Sequence, residues 1–87
     1  MSWTVKYKKS VLKDFKKIDK HEALRIKEFI ESKLVDCENP RKIGKPLKGN
    51  LATFWRYRVG SYRLICDIQD SDLVILILTA KHRKESY

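Results

Sequence analysis

The sequence predicts a small α+β domain in the order β-α-α-β-β-β, with a helical hairpin packed on a largely antiparallel, four-stranded sheet. Three observations lead to this prediction. One short alternating segment is followed by two segments with helical apolar spacing. Three segments rich in β-branched and aromatic residues then follow a stretch of prolines and glycines. The 87 residues are enough for a single core, so residues 1–87 are expected to form one domain.

The first half of the chain is expected to hold one strand and both helices. Residues 3–8 alternate weakly, as a first strand does. Ser10 is expected to cap a helix that ends near Lys17, because the apolar residues after it have helical spacing. Asp19 is expected to cap a second helix, whose apolar stripe fades near residues 36–39, just before a proline.

The second half of the chain is expected to hold three strands. Residues 40–50, which we call the connector, combine prolines and glycines with several basic residues, so we expect ordered chain without regular structure there. Residues 55–59 and 62–68 have the composition of strands and are separated by the two-residue loop Gly60-Ser61. The last strand, residues 73–79, follows a polar turn and is apolar on both faces, as a strand covered on both sides is.

The composition is strongly basic. Lys and Arg outnumber Asp and Glu by 20 to 11, which gives a formal net charge of +9. This balance is typical of proteins that meet nucleic acid or an acidic protein partner. Apolar residues make up 43% and fall into periodic segments, which excludes a disordered basic tail. No signal peptide or run of ~20 apolar residues is apparent, so we expect a cytoplasmic protein without membrane contact.

The two cysteines are not expected to bind a metal. Cys37 and Cys66 lie far apart in the sequence, and neither has a Cys or His nearby at metal-ligand spacing. We therefore expect both to be buried, inert thiols.

A cluster of arginines is predicted on the sheet. If the two-residue loop closes a hairpin, Arg58 lies opposite Arg63, with Arg56 two residues along the same face. Like charges directly opposite each other destabilise a sheet, so this patch is expected to bind an anion, with a phosphate backbone as the best candidate. The alternative is that these arginines extend into water or pair with carboxylates such as Asp67.

The end of the chain is expected to bring further polar groups to the same place. Residues 80–83 should lie near Tyr62 and Arg63, because an antiparallel hairpin brings the end of its second strand back to the start of its first strand. The combined set holds cations that can bind phosphate, and also His82, whose residue type is suited to proton transfer near neutral pH. The alternative is that residues 81–84 belong to a solvated terminus without a catalytic role.

Several motifs resemble those of the RelE/ParE superfamily of toxin-antitoxin toxins. They are Pro46-Leu47-Lys48-Gly49-Asn50-Leu51, Phe54-Trp55, Arg58-Val59, Tyr62-Arg63-Leu64, and the ending His82-Arg83 with Tyr87. The resemblance spans nearly the whole chain, and the predicted element order is also that of the superfamily. The first two motifs are most similar to the YoeB branch, whereas the ending is shared more widely among RelE-like toxins.

The resemblance implies a ribosome-dependent mRNA interferase that cuts messenger RNA in the ribosomal A site. It also implies a cognate antitoxin that holds the toxin inactive, and a toxin-antitoxin hetero-oligomer is compatible with this. The implied chemistry is attack of a ribose 2′-hydroxyl on the adjacent phosphate, with no metal or cofactor. The alternative within the superfamily is a ParE-like toxin, which inhibits DNA gyrase by binding it and does not cut RNA.

The resemblance further implies roles for individual residues. Arg63 matches the arginine of the family's Tyr-Arg-Leu and would stabilise the phosphate. Arg56 and Arg58 stand where RelE has lysines, but arginine stays protonated, so they would act as clamps and not as bases. Proton transfer would fall to Lys48, Lys81, His82 or Tyr87. The candidate catalytic residues are Lys48, Arg58, Arg63, His82, Arg83 and Tyr87, and the candidate RNA-binding residues are Lys45, Arg56, Lys81 and Lys84.

One departure from the family pattern concerns the base. YoeB-like toxins have a glutamate just before the Pro-Leu-Lys-Gly stretch, whereas Lys45 precedes Pro46 here. The carboxylate base of that branch is therefore absent. The identity of the base stays open, and a RelE-like mechanism with cationic groups alone is compatible with the sequence.

Overall fold

The computed structural model describes residues 3–47 and 54–84. Its elements follow the predicted order, with one additional short strand. They are β1 (Thr4–Tyr7), α1 (Lys9–Lys17), α2 (Lys20–Phe29), β2 (Lys45–Pro46), β3 (Phe54–Val59), β4 (Tyr62–Gln69) and β5 (Val74–His82). A π-type turn (Ile30–Leu34) prolongs α2, and two 3₁₀ turns lie at Pro40–Lys42 and Asp70–Asp72.

The five strands form one sheet in the order β1-β5-β4-β3-β2. Only β1 and β5 pair in parallel, and the three other neighbouring pairs are antiparallel. The α+β class and the largely antiparallel sheet are thus confirmed, but the expected count of four strands was short by one. The sequence did not reveal β2 because a strand of two residues, one of them Pro46, has no periodicity to detect. The last strand is interior to the sheet, since β5 lies between β1 and β4. The expectation that both of its faces are covered was wrong, because Ile75 and Ile77 are buried whereas Leu76 and Leu78 on the other face are only half-buried.

The two predicted helix caps have different outcomes. The carboxylate of Asp19 caps α2 as predicted, accepting a hydrogen bond from the backbone N–H of His21 at 3.1 Å. The prediction that Ser10 caps α1 was wrong, because the N-cap position is Lys8 and makes no side-chain cap hydrogen bond. The Ser10 hydroxyl instead donates to the carbonyl oxygen of Leu78 at 3.0 Å. This bond joins α1 to β5, over a sequence separation that a local pattern cannot reveal.

The β3–β4 hairpin has the predicted register, with Val59 opposite Tyr62 and Arg58 opposite Arg63. The loop residue Gly60 has a φ of 59°, which a side chain would strain. A positive φ at the first of two loop residues is the geometry of a type II′ turn, whose twist matches that of the flanking strands. The turn therefore determines which strand residues face each other.

The helices cover one face of the sheet, and the core lies between the helices and that face. Side chains alternate between the two faces along a strand, so every second strand residue enters the core. The exception is a register shift in the β4–β5 pairing, which leaves the core residues Ile77 and Ala80 of β5 three positions apart. Within the described residues, the buried strand positions on this face are Tyr57, Val59, Leu64, Cys66, Ile68, Ile75, Ile77 and Ala80, and the helical segments contribute Val11, Ile18, Ile26, Ile30 and Leu34. None of the helices in the described ranges is long and apolar enough to cross a membrane.

The cysteines belong to this core to different degrees. Cys66 is fully buried, and burial raises the pKa of its thiol to about 12. Cys37 is half-buried at the edge of the core, and its Sγ donates to the carbonyl oxygen of Leu34 at 3.1 Å. The expectation of a buried thiol is confirmed for Cys66 and only in part for Cys37.

The connector is more regular than expected, because Tyr57 in the core holds it against β3. The Tyr57 hydroxyl donates to the carbonyl oxygen of Pro40 at 2.7 Å, and the site is buried. Gly44 lies so close to the Tyr57 ring that an added Cβ would come within 2.7 Å of Cε1. Arg41 is also held, by a two-pronged ion pair with Asp70 that includes a 2.8 Å hydrogen bond. The segment therefore forms a 3₁₀ turn and a strand where none was predicted.

Replacing Tyr57 with Phe is expected to lower the free energy of unfolding by about 1 kcal/mol, because it removes a buried hydrogen bond and leaves the Pro40 carbonyl without this donor. Urea denaturation followed by circular dichroism measures the change. The matched control is Tyr7→Phe, since Tyr7 is 37% exposed and should lose almost nothing. Equal losses for the two variants would show that the Tyr57–Pro40 bond does not hold the connector.

Candidate functional site

Three arginines share the sheet face that points away from the core. Arg58 on β3 is directly opposite Arg63 on β4, and Arg56 follows Arg58 at a spacing of two residues on the same strand face. Their neighbours Tyr57 and Leu64 point to the other side and are buried under the helices. We call Arg56, Arg58 and Arg63 the arginine patch. Their predicted arrangement on one face is confirmed.

The arginine patch destabilises the sheet by like-charge repulsion, but it can also bind an anion. Directly opposite residues on a sheet have Cβ atoms only about 5 Å apart, so the Arg58–Arg63 pair is repulsive. Guanidinium groups stay protonated and present parallel N–H donors that match two oxygens of a phosphate. The patch can therefore bind an anion and offset developing negative charge, whereas a proton acceptor has to come from elsewhere.

Lys81 on β5 adds a further cation next to the arginine patch, because it lies directly opposite Arg63. Its ammonium group is held by Asp14 of α1, with the Nζ and Oδ1 atoms 2.9 Å apart. The other carboxylate oxygen of Asp14 accepts a hydrogen bond from the backbone N–H of Ala80 at 3.1 Å. Asp14 thus satisfies an edge donor of β5 beyond the end of β1 and also binds a neighbouring cation.

Asp14 is the functional-site neighbour that sequence reasoning missed. It is only 8% exposed, which makes it the one charged side chain in the buried class among the described residues. A signal was present in the sequence, because Asp14 lies on the apolar stripe of α1, three residues after Val11 and four before Ile18. A carboxylate on a buried helical stripe requires a partner, but the sequence does not say which cation it meets.

A cavity of about 330 Å³ opens beside the arginine patch, between the connector and β3. Strand β2 forms one wall, with Lys45 directly opposite Arg56. We call this space the connector cavity; its lining residues are Lys42, Ile43, Gly44, Lys45, Arg56 and Arg58. Across residues 3–47 and 54–84, no carboxylate forms an ion pair with any of these four cations. The cavity therefore concentrates positive charge next to solvent.

His82 lies on the opposite side of the sheet from the arginine patch. The structure confirms that the end of β5 returns to the start of β4, since His82 pairs with Tyr62. The two rings meet edge to face, with centroids 5.4 Å apart, and Nδ1 of His82 accepts a hydrogen bond from the backbone N–H of Lys84 at 3.2 Å. The prediction that residues 80–83 lie near Tyr62 and Arg63 is therefore confirmed. His82 and the arginines nevertheless lie on opposite faces of the sheet, because successive residues of a strand face opposite sides.

The remaining candidates lie around the hairpin loop or outside the described residues. The backbone N–H of Arg83 donates to the carbonyl oxygen of Ser61 at 2.8 Å, which places Arg83 beside the loop. Lys84 follows and is exposed. Lys48 and Tyr87 lie outside the described residues, so their predicted roles stay predictions.

Within residues 3–47 and 54–84, no group of three His, Cys, Asp or Glu side chains comes together as a metal ion would require. The expectation of a metal-free reaction stays a prediction.

Comparison with known proteins gives a consistent family relationship. Residues 5–87 match the family described as the ParE toxin of the type II toxin-antitoxin system parDE. The chain is also 31% identical to toxin RelG of Mycobacterium tuberculosis, over 100% of this chain and 98% of that protein. Both matches include the strands that carry the arginine patch.

Solved structures are similar in fold over almost the same extent. The crystal structure of the toxin-antitoxin complex RelBE2 from Mycobacterium tuberculosis contains a chain with a TM-score of 0.86 and 30% identity, covering 95% of this chain and 100% of that one. The archaeal RelE-RelB complex from Pyrococcus horikoshii gives a TM-score of 0.72 and 30% identity, with coverage of 99% and 100%.

Replacing Asp14 with Ala is expected to lower the free energy of unfolding by about 2 kcal/mol, because it leaves the backbone N–H of Ala80 without its acceptor and removes a partner of Lys81. Asp14→Asn keeps an acceptor oxygen for that N–H and should lose less. Urea denaturation at neutral pH compares the two variants. Asp36→Ala, which removes an exposed carboxylate, is the control and should change stability by less than about 0.5 kcal/mol. An Asp14→Ala variant as stable as the parent would contradict this role.

Proposed function

This chain belongs to the RelE/ParE superfamily and is a toxin of a toxin-antitoxin system, and on that premise we propose that it is a ribosome-dependent endoribonuclease that cuts messenger RNA. We propose further that a cognate antitoxin protein neutralises it. The relatives include toxin RelG and an archaeal RelE, and the resemblance to RelE-like toxins implies an RNA substrate. The arginine patch carries the argument about mechanism.

The observation behind the proposal is the Arg58–Arg63 pair on the uncovered face of the sheet. Two guanidinium groups in this position repel each other, so the arrangement favours a bound anion between or beside them. Arg56 and Lys45 extend the same surface, which lets it follow a chain of negative charges. A phosphodiester backbone is the biological ligand with that charge pattern.

The proposed reaction breaks one phosphorus–oxygen bond and forms another. The 2′-hydroxyl oxygen of a ribose attacks the adjacent phosphorus as its proton passes to a base, and the 5′ oxygen of the next nucleotide leaves with a proton from an acid. The products are a 2′,3′-cyclic phosphate and a 5′-hydroxyl. In this proposal Arg63 stabilises the negative charge that develops on the non-bridging oxygens, while Arg56 and Arg58 hold the strand in place.

The proton-transfer groups are the open part of this mechanism. Lys81 is bound to Asp14, and His82 lies across the sheet from the patch. Lys48 and Tyr87 complete the candidate set. If cationic groups alone act on the phosphate, the reaction depends on external alignment of the 2′-hydroxyl, and alignment alone can supply several kcal/mol of barrier lowering. In this proposal the ribosome supplies the alignment, so the free protein should cut naked RNA poorly.

A second candidate function is inhibition of DNA gyrase by binding, as expected for a ParE-like toxin. The match of residues 5–87 to the ParE toxin family favours it. In that case the arginine patch would be a protein-binding surface, and RNA would stay intact. Assays of messenger cleavage on programmed ribosomes and of gyrase supercoiling, run with the same protein, separate the two functions.

Replacing Arg63 with Ala is expected to abolish cleavage on programmed ribosomes, because it removes the cation assigned to the developing charge. The free energy of unfolding should stay within about 1 kcal/mol of the parent or rise slightly, since like-charge repulsion is relieved. Primer extension measures cleavage, and urea denaturation measures stability. The exposed helical residue Lys33 provides the control: Lys33→Ala should remain fully active. A stable Arg63→Ala protein that still cleaves would remove Arg63 from the mechanism.

The chemistry of the cut has its own expected signature. Products should end in a 2′,3′-cyclic phosphate or a 3′ phosphate, and the cut should be unaffected by EDTA at levels that leave ribosomes intact. A 3′-hydroxyl product, or a cut that itself requires a metal, would exclude attack by the 2′-hydroxyl. If the parent protein inhibits supercoiling by DNA gyrase and leaves messenger RNA intact, the gyrase alternative is established.

The proposed antitoxin contact includes an apolar groove beside α1, on the helical side of the domain. Tyr7, Leu12 and Phe15 form its floor, and Lys16 and Lys27 lie around it, together with Glu31. The rings of Tyr7 and Phe15 are 6.0 Å apart, and Leu12 is 49% exposed. An apolar floor with lysines beside it matches an acidic amphipathic segment. Relatives solved with a partner are toxin-antitoxin complexes, which supports this choice of occupant.

Replacing Leu12 with Asp is expected to weaken antitoxin binding at least tenfold, because it puts a charge on the apolar floor and repels an acidic partner. Isothermal titration calorimetry with the cognate antitoxin measures the Kd. The control is Ile43→Asp, which changes a residue of similar exposure, 45%, in the connector. Added salt should also raise the Kd of the parent complex. A complex equally tight from low to molar salt would show that charge contributes little to it.

A further inference from the structure

We propose that the connector cavity is a second phosphate subsite, which holds a messenger phosphate adjacent to the one that is cut. This inference rests on the proposed endoribonuclease function and adds a division of labour among the cations. Arg58 and Arg63 serve the scissile phosphate, whereas Lys42, Lys45 and Arg56 bind its neighbour along the strand.

The lining of the connector cavity separates it from two other cavities in the described residues. Its lining has four cations and no carboxylate. The small cavity at the end of β5 includes Asp14, and the groove beside α1 includes Glu31. Because an anion is repelled by a carboxylate at contact distance, the connector cavity is the one of these three whose charge suits a phosphate.

The wall that carries the lysines is held in place by the core. Tyr57 anchors the connector through its hydrogen bond to Pro40, and its ring contacts Gly44 so closely that no side chain fits there. Pairing of Lys45 with Arg56 then joins β2 to β3. A charge on an immobilised segment loses less conformational freedom when it binds than one on a mobile loop. The connector therefore offers Lys42 and Lys45 as a preorganised pair.

The spacing along β3 fits successive phosphates of an RNA strand. Arg56 and Arg58 are two residues apart on one face, which is about 6.7 Å along a strand. One nucleotide step of an extended RNA backbone has a similar length. A strand whose scissile phosphate lies at Arg58 and Arg63 thus places its next phosphate at Arg56, where the mouth of the cavity opens.

A subsite of this kind has a specific kinetic effect. The neighbouring phosphate does not change charge during the reaction, so its contacts stabilise the bound substrate and the transition state equally. Loss of these contacts should raise KM and leave kcat unchanged, unlike loss of Arg63, which should lower kcat. Each lost contact should also reduce the salt dependence of RNA binding, by about 0.7 in the slope of log K against log salt for a single strand.

The first test measures binding without cleavage. The probe is a fluorescent single-stranded RNA with a 2′-deoxyribose at the cleavage position, and anisotropy gives its Kd over a range of salt. The double variant Lys42→Ala/Lys45→Ala should bind about tenfold more weakly than the parent, with a slope smaller by about 1.4. The control is Lys13→Ala/Lys33→Ala, which removes the same charge from exposed helix positions. Equal losses in the two double variants would overturn the proposal.

The second test asks which phosphate the cavity holds. One neutral methylphosphonate replaces the phosphate next to the scissile one in the same probe. It should weaken binding to the parent and have little further effect on the Lys42→Ala/Lys45→Ala variant, because the two changes remove one interaction. Equal weakening of both proteins would overturn the assignment.

The tests also distinguish failure of the subsite from failure of the proposed function. If the parent leaves messenger RNA intact on ribosomes but the two lysines and the adjacent phosphate prove coupled in binding, the subsite stands and the endoribonuclease function fails. If the parent cleaves and the double variant keeps the parent KM and salt slope, the function stands and the subsite fails.

Discussion

The geometry of the whole domain depends on the two-residue turn between β3 and β4. Gly60 adopts a positive φ that is strained for most residues with a side chain, and this fixes the pairing of Val59 with Tyr62 and of Arg58 with Arg63. Because side chains alternate along a strand, a shift of one residue would carry the arginines into the core and the core residues into water. One turn conformation thus separates a dry face from a cationic face.

The cationic face is stabilised by its surroundings as well as by the turn. Asp14 brings a buried carboxylate from α1 to the end of β5, where it binds Lys81 and the backbone of Ala80. At the Arg63 end of the arginine patch, Asp14 therefore offsets the charge of the neighbouring Lys81. At the other end Arg56 and Arg58 border an open cavity, where an anionic ligand can provide the same compensation.

Core and site are physically continuous in this protein. Tyr57 lies between Arg56 and Arg58 in the sequence of β3, but its side chain faces the core and is almost completely buried. Its hydroxyl holds the connector through Pro40. A buried core residue thereby positions the lysines of the connector cavity. Burial raises the pKa of the Tyr57 hydroxyl, so it remains a hydrogen-bond donor throughout the physiological range. Stability of the fold and positioning of the cations are therefore coupled through one side chain.

The sequence by itself determined the element order, the Asp19 cap and the hairpin register, because apolar period, capping chemistry and a two-residue turn are local properties. It also determined that the arginines share one face. Only the tertiary structure decided that Ser10 binds β5, that Asp14 meets Lys81, and that the connector adds a fifth strand. Each of these is a contact between segments far apart in the chain, and local patterns do not encode which distant group comes within reach.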